Sequence, residues 1–167
     1  MQDFADAVSA GAAALPPSLE SRVTFQEHNM FETNPVKHAA AYYLRHILHD
    51  WPDKQAVLIL KALVPALKDG SRILISDTVI PPPGELSGLD ERFVRYIDMQ
   101  MMVLHNSRER TEEDFKGMLN EADPRLQLYK VWKKGPSSIH GSTLLEVRFQ
   151  ENHDGNGESP AQPEQLD

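Results

Sequence analysis

A histidine, an aspartate and a tryptophan stand together at His49-Asp50-Trp51, directly after an apolar run from Ala39 to Leu48 and directly before a helix start at Pro52-Asp53. The run reads as a buried strand. In open parallel sheets, ligands sit outside the carboxyl ends of the strands, so a titratable pair at that junction lies where chemistry is placed. Two acidic residues fall at comparable junctions: Asp77, which closes Arg72-Ile73-Leu74-Ile75-Ser76, and Glu109, within Ser107-Arg108-Glu109-Arg110-Thr111. One imidazole and two carboxylates at the edges of elements are the parts of an acid–base site, with histidine as the group that exchanges protons near neutral pH.

Each of these residues also has a plainer explanation. A single histidine is more often an ordinary, partly buried side chain. Asp50 and Asp53 suit a helix start, and Trp51 can simply pack. Asp77 can bond the backbone at a strand end, and Glu109 between two arginines reads as an exposed ion-pair cluster. His46 and His49 invite a zinc site. On a strand, however, residues three apart point to opposite faces, so no metal site is expected. The methionines at 99, 101 and 102 can be core filler.

The elements around these residues alternate. An Ala-rich helix is predicted over Asp3–Leu15, stopped by Pro16-Pro17. A strand follows over Arg22–Glu27, then the strand from about Ala39 to Leu48. A helix over Asp53–Leu67 is divided by Pro65 and ended by Asp69-Gly70. Ser71–Ile80 is a continuous apolar strand cut off by Pro81-Pro82-Pro83-Gly84. A helix over Asp90–Leu104 comes next. Thr111-Glu112-Glu113-Asp114 is a capping signature for a short helix ending near Ala122. Strands at Leu126–Lys133 and Ser142–Phe149 close the domain, joined through Gly135-Pro136-Ser137-Ser138. The pattern specifies an α/β fold, an incomplete Rossmann-like sheet that is mostly parallel with an antiparallel C-terminal edge. Residues 1–150 form the domain, and 151–167 read as an acidic disordered tail.

Composition narrows the function. The chain has 167 residues, 40% hydrophobic, with no cysteine and a formal charge of −8. Disulfides, thiolate metal sites and cysteine nucleophiles are therefore excluded. Five acidic and no basic residues follow Gln150, so the body carries only about −3. Nucleic-acid binding through a basic face is unsupported, no apolar stretch reaches the length of a membrane span, and no secretory leader is evident. A soluble, cytoplasmic protein is the expectation. No Gly-x-Gly-x-x-Gly occurs, and the chain opens as if entering a sheet midway, without a first strand and its glycine turn.

The ordered set His49-Asp50-Trp51-Pro52-Asp53, then Asp77-Thr78-Val79-Ile80-Pro81, then Arg108-Glu109-Arg110-Thr111 closely resembles S-adenosylmethionine-dependent O-methyltransferases of the plant caffeate and flavonoid type and their fungal polyketide relatives. The resemblance runs from about Gln2 to Phe149. It implies S-adenosylmethionine as cofactor and a small aromatic, phenolic or polyketide hydroxyl as acceptor. His49 matches the general base, and Asp77 and Glu109 the carboxylates flanking it. On the cofactor side it implies Asp3 for the ribose, Asn29 and Met30 for the adenine, and Arg45 for the methionine portion. Asn29 stands where relatives carry Asp, and Arg45 where they carry Lys. On the acceptor side it implies Asp50, Met99, Met102 and Asn106. Relatives also carry an N-terminal helical dimerisation domain and a Gly-rich first strand, so a homodimer is implied for full-length members. Two other readings stay open: a catalytically inactive remnant acting at most as a binding module, and a nicotinamide-dependent oxidoreductase on a similar sheet.

Overall fold

A computed structural model describes residues 1–132 and 143–151. Strand β1 (Gln2–Asp3) precedes helix α1 (Ala5–Ala13), and β2 (Gln26–Glu27) pairs with β1 in parallel. Strand β3 (Ala41–Arg45) leads through a 3-10 turn (Leu48–Asp50) into α2 (Asp53–Leu63), which continues as a second 3-10 turn (Val64–Ala66) at Pro65. Then come β4 (Arg72–Asp77), β5 (Val79–Ile80), α3 (Gly88–His105), β6 (Arg110–Thr111), α4 (Glu112–Ala122), β7 (Leu126–Trp132) and β8 (Thr143–Phe149).

The principal sheet has the order β3-β4-β8-β7, parallel between β3 and β4 and antiparallel across β4-β8-β7. The expected α/β arrangement, mostly parallel with an antiparallel C-terminal edge, is present: among the described strands the pairs β1-β2, β3-β4 and β5-β6 are parallel, and the antiparallel pairs are those made by β8 at the C-terminal edge. Two parallel ribbons, β1-β2 and β5-β6, are separate from the principal sheet. Alternate positions on β4 and β8 place Ile73, Ile75, Leu145 and Val147 in the core, where helix-spaced residues of α2 and α4 cover them, including Ile59, Leu60, Phe115 and Leu119. Burial of such side chains contributes roughly 1.5–3 kcal/mol each. This is what fixes the strand ends in space.

Several boundaries differ from the sequence reading. The strand expected from Ala39 to Leu48 ends at Arg45, because His46 takes a left-handed conformation at φ 52°. The long strand over Ser71–Ile80 is interrupted between Asp77 and Val79. The strand expected over Arg22–Glu27 shrinks to two residues, and the first helix starts at Ala5 because Gln2–Asp3 is extended and paired. Pro65 divides the second helix as expected, and Thr111 with Asp114 forms a reciprocal capping box at the start of α4. The loop at Gly135–Ser138 and the acidic tail beyond Glu151 lie outside the described residues.

Candidate active site

The parallel pair β3-β4 delivers three of the relevant side chains to one end of the sheet. Asp77 is the last residue of β4, one position beyond the pairing of Arg45 with Ser76. The His46 amide donates to the Ser76 carbonyl at 3.1 Å, which anchors the start of the turn beside Asp77. The 3-10 turn then carries His49 and Asp50. His49 thus sits on a tight turn rather than on a strand end.

Glu109 arrives from the far side, just before β6. Its backbone N–H donates to Asp98 Oδ1 of α3 at 2.9 Å, and its carboxylate meets His49, with Nδ1 and Glu109 Oε1 3.0 Å apart. A carboxylate can only accept, so Nδ1–H is the donor and the lone pair is left on Nε2. Asp50 Oδ1 lies 3.5 Å from that Nε2 and equally 3.5 Å from His105 Nε2. Asp77 is 0% exposed and Glu109 1%. Among the described residues, neither oxygen of Asp77 nor Oε2 of Glu109 has a well-formed hydrogen-bond partner.

These contacts set the acidities. Burial is the largest influence on His49 and opposes its charging. The hydrogen bond and charge of Glu109, with Asp77 and Asp50 behind it, outweigh burial and raise its pKa. Burial, helped by the like charge of Glu109, pushes Asp77 up from 3.8 to about 6. Attraction to His49 and Arg110 and a contribution from the His49 backbone N–H act the other way. His46 is moved down, chiefly by burial and then by the charges of His49 and Arg45.

The clamp that holds the turn is Arg110, which the sequence reading treats as part of an exposed charge run. It is only 1% exposed. Its guanidinium donates to the Leu48 carbonyl and the Trp51 carbonyl, each at 2.7 Å, and to Asp53 Oδ1 at 2.9 Å. The Ser107 hydroxyl adds a bond to the Trp51 carbonyl at 2.8 Å. Both ends of the His49 turn are therefore tied to the segment that carries Glu109. Arg108 is the exposed member, bonded to Asp53 and Asp114. Nothing local in the sequence separates the two arginines; the position of Arg110 on β6, paired beside β5, does.

The expected opposition of His46 and His49 across a strand does not occur. The left-handed residue and the 3-10 turn replace the period of two, and the two rings approach to 5.1 Å between centroids. One ligand atom each from His46, His49 and Asp77 lie within 4.8 Å of one another.

A cavity of about 460 Å³ opens beside this group, lined by Phe4, Met30, Ile47, Asp50, Trp51, Pro52, Gln55 and His105. Its size suits a small organic ligand. Phe31 stacks edge-on against Trp51 at 4.8 Å, stiffening one wall. Of the residues singled out from the sequence, His49, Asp77, Glu109 and Asp50 come together, and Met30 and Asp50 share the cavity. Asp3 is exposed next to Phe4, and its carboxylate accepts from the Phe4 amide at 2.8 Å. Asn29 accepts from the Phe31 amide and donates to Glu32, closing a local turn. Arg45 is exposed at the end of β3. Met99 and Met102 are exposed on α3 and do not line the cavity, and Asn106 caps α3 in a left-handed conformation. His105 is a cavity residue that the sequence reading leaves out.

Residues 1–123 match the family model of the O-methyltransferase domain. The chain belongs to that O-methyltransferase family. The grayanic acid biosynthesis cluster O-methyltransferase of Cladonia grayi is 49% identical over 118 residues, which are 71% of this chain and 26% of that protein. The structure of LepI in complex with SAM superimposes with a TM-score of 0.77 at 31% identity, over 89% of this chain and 35% of that one. OxaC in complex with SAH and oxaline gives 0.73 at 29%, over the same shares of the two chains. The chain spans 26–42% of the length of the first curated relatives it matches. Among the described residues no helix is long and apolar enough to cross a membrane.

Proposed function

We propose that residues 1–150 are the acceptor-activating part of an S-adenosylmethionine-dependent O-methyltransferase, with His49 as general base toward a phenolic or polyketide hydroxyl. The observation that carries this reading is the 3.0 Å contact of His49 Nδ1 with Glu109, which directs the free lone pair of Nε2 away from its supporting carboxylate. A phenol ionises near pH 10, so at neutral pH the acceptor needs help to lose its proton. Nε2 receives that proton as the oxygen attacks. Glu109, Asp77 and Asp50 stabilise the imidazolium that forms, as the raised pKa of the ring reflects. Base assistance of this kind is worth roughly 10²–10⁴-fold. Holding the acceptor oxygen in line is worth more, up to roughly 7–11 kcal/mol, and the Arg110 clamp serves that end by fixing the turn.

The residues fit the cofactor in part. An acidic residue closes β1 beside Phe4, and the cavity wall of Phe4, Met30, Ile47 and Trp51 offers the aromatic and sulfur surface that accommodates a sulfonium. Asp3, Asn29, Met30 and Arg45 are the residues that would hold it. When bound, S-adenosylmethionine supplies an electrophilic methyl group. LepI and OxaC, bound to SAM and SAH respectively, support that assignment.

One observation favours a second reading, a non-catalytic binding module: among the described residues β1 and β2 pair only with each other, apart from the principal sheet. Calorimetric titration with S-adenosylmethionine separates the two. Saturable binding in the micromolar range supports the enzyme, and no binding at millimolar ligand supports the module. In a methyl-transfer assay on a phenolic acceptor, His49→Gln is expected to lower turnover by roughly 10²–10⁴-fold with cofactor affinity unchanged. Turnover near normal would remove His49 from the role of base.

A further inference from the structure

We propose that Asp98 is a positioning residue for the base: from α3 it holds the Glu109 main chain, and through Glu109 it fixes the His49 imidazole. Asp98 Oδ1 accepts from the Glu109 backbone N–H at 2.9 Å. That bond leaves the helix, whereas the side-chain bonds Ser87–Asp90, Glu91–Arg95 and Tyr96–Gln100 stay within it. Glu109 is buried, so losing the bond would leave its amide unpaired away from water. A second contact leaves the same helix. His105, seven residues on, brings Nε2 to 3.5 Å from Asp50 Oδ1, and the same oxygen lies 3.5 Å from His49 Nε2. Residues seven apart share a helix face, about two turns and about 10 Å apart along the axis. One face of α3 therefore reaches both carboxylates that flank the ring, Glu109 at Nδ1 and Asp50 at Nε2.

The helix needs such ties. None of its residues is buried, so it lacks the fully packed side chains that fix α2 and α4. Its end turns through left-handed Asn106 into Ser107, whose hydroxyl bonds the Trp51 carbonyl, and Arg110 clamps the chain on the other side of Glu109. Between those anchors Asp98 takes up the Glu109 amide. The consequence falls on the ring. A hydrogen bond weakens steeply as its distance and angle depart from the preferred geometry. The 3.0 Å contact of Glu109 Oε1 with Nδ1 therefore depends on where the Glu109 backbone stands. Asp98 contributes an acceptor oxygen rather than a charge to this task. An amide oxygen can serve in its place, and a methyl group cannot. The inference rests on the reading of His49 as base, but it is tested on the ring and not on turnover.

The test is a ¹⁵N NMR titration of the His49 ring in the full chain. Asp98→Ala should lower its midpoint by about half a pH unit or more, because the Glu109 carboxylate is no longer held against the ring. Asp98→Asn removes the same charge but keeps the acceptor, and its midpoint should stay within about 0.2 unit of the unsubstituted chain. Glu91→Gln, which neutralises a carboxylate elsewhere on α3, should leave the midpoint in place. The other charged groups about the ring are Asp50, Asp77 and His46, with His105 and Arg110 behind them, and all remain in these variants. A midpoint that does not move in Asp98→Ala, or that moves equally in Asp98→Asn, overturns the proposal. If Asp98→Ala does not fold, hydrogen exchange in the unsubstituted chain decides: the Glu109 amide and the His49 Nδ1–H should lose protection together at sub-denaturing urea, and separate loss overturns the proposal. The two readings fail separately. A still midpoint in Asp98→Ala removes Asp98 and leaves His49 as base, whereas normal turnover in His49→Gln removes the base and leaves the ring's positioning intact.

Discussion

Glu109 controls His49 through a single nitrogen, and this contact sets both tautomer and charge. Because folding raises the pKa of the ring, its stabilising contribution is present below the ordinary value of 6.5 and is lost as pH rises through the folded value. Glu109→Gln keeps an acceptor but removes the charge. The His49 pKa should therefore fall, and stability near pH 6 should drop relative to pH 8. NMR titration of the ring reads this directly, and an unchanged midpoint would show that Glu109 does not set it. The types of these residues were legible in the sequence, because imidazole and carboxylate at element junctions are a chemical signal. Their partners were not. His46 and His49 were read with the period of a strand, and only a backbone with φ of 52° brings them together. A single left-handed residue that is not glycine leaves no mark in the apolar pattern.

At the scale of elements, the decisive contact ties the His49 turn to β6. Arg110→Met deletes charge-assisted bonds to the Leu48 and Trp51 carbonyls and leaves those acceptors short of donors. We expect a loss of about 3–5 kcal/mol in chemical denaturation, in line with breaking a buried charged contact. Arg108→Met, at an exposed site, should cost under about 1 kcal/mol. Equal effects would mean that the burial of Arg110 is not what holds the turn. The start of α4 gives a pH-dependent case. Burial of Asp114 works against ionisation, but bonds from Arg108 and Thr111 prevail and lower its pKa to about 2. A lowered carboxyl pKa stabilises above the unfolded value of 3.8, and that stability is lost as pH falls toward 2. Discounted for its partial exposure, Asp114→Ala should cost about 1–2 kcal/mol at pH 7, shrinking toward zero near pH 2. A cost that is constant with pH would contradict the account. This helix start was readable from Thr111-Glu112-Glu113-Asp114 because a capping box is local. The burial of Arg110 was not, because it depends on a strand pairing with β5 across an intervening helix.

For the whole molecule, the alternation of strands and helices pointed to the mostly parallel α/β arrangement with its antiparallel edge, since those follow from apolar periodicity and turn residues. The separation of the β1-β2 ribbon from β3 was less visible, because strands of two residues carry almost no periodicity. Among the described residues one edge of β3 has no neighbouring strand and Tyr43 is exposed, while α3 exposes Leu89, Tyr96, Met99, Met102, Val103 and Leu104. Open strand edges and contiguous apolar surface favour association. The chain made alone should self-associate with rising concentration in size-exclusion chromatography. A sharp monomer peak across that range, with a cooperative melt, would show that these surfaces are compatible with an isolated chain.

The central claim is that His49 is held by Glu109 at Nδ1 with Nε2 left to accept a proton. Its most direct test is the ¹⁵N–¹H correlation spectrum of the His49 imidazole, at a pH where the ring is neutral. The account predicts a protonated Nδ1 and a bare Nε2. A ring protonated at Nε2, or one that exchanges freely between the two tautomers, would contradict it.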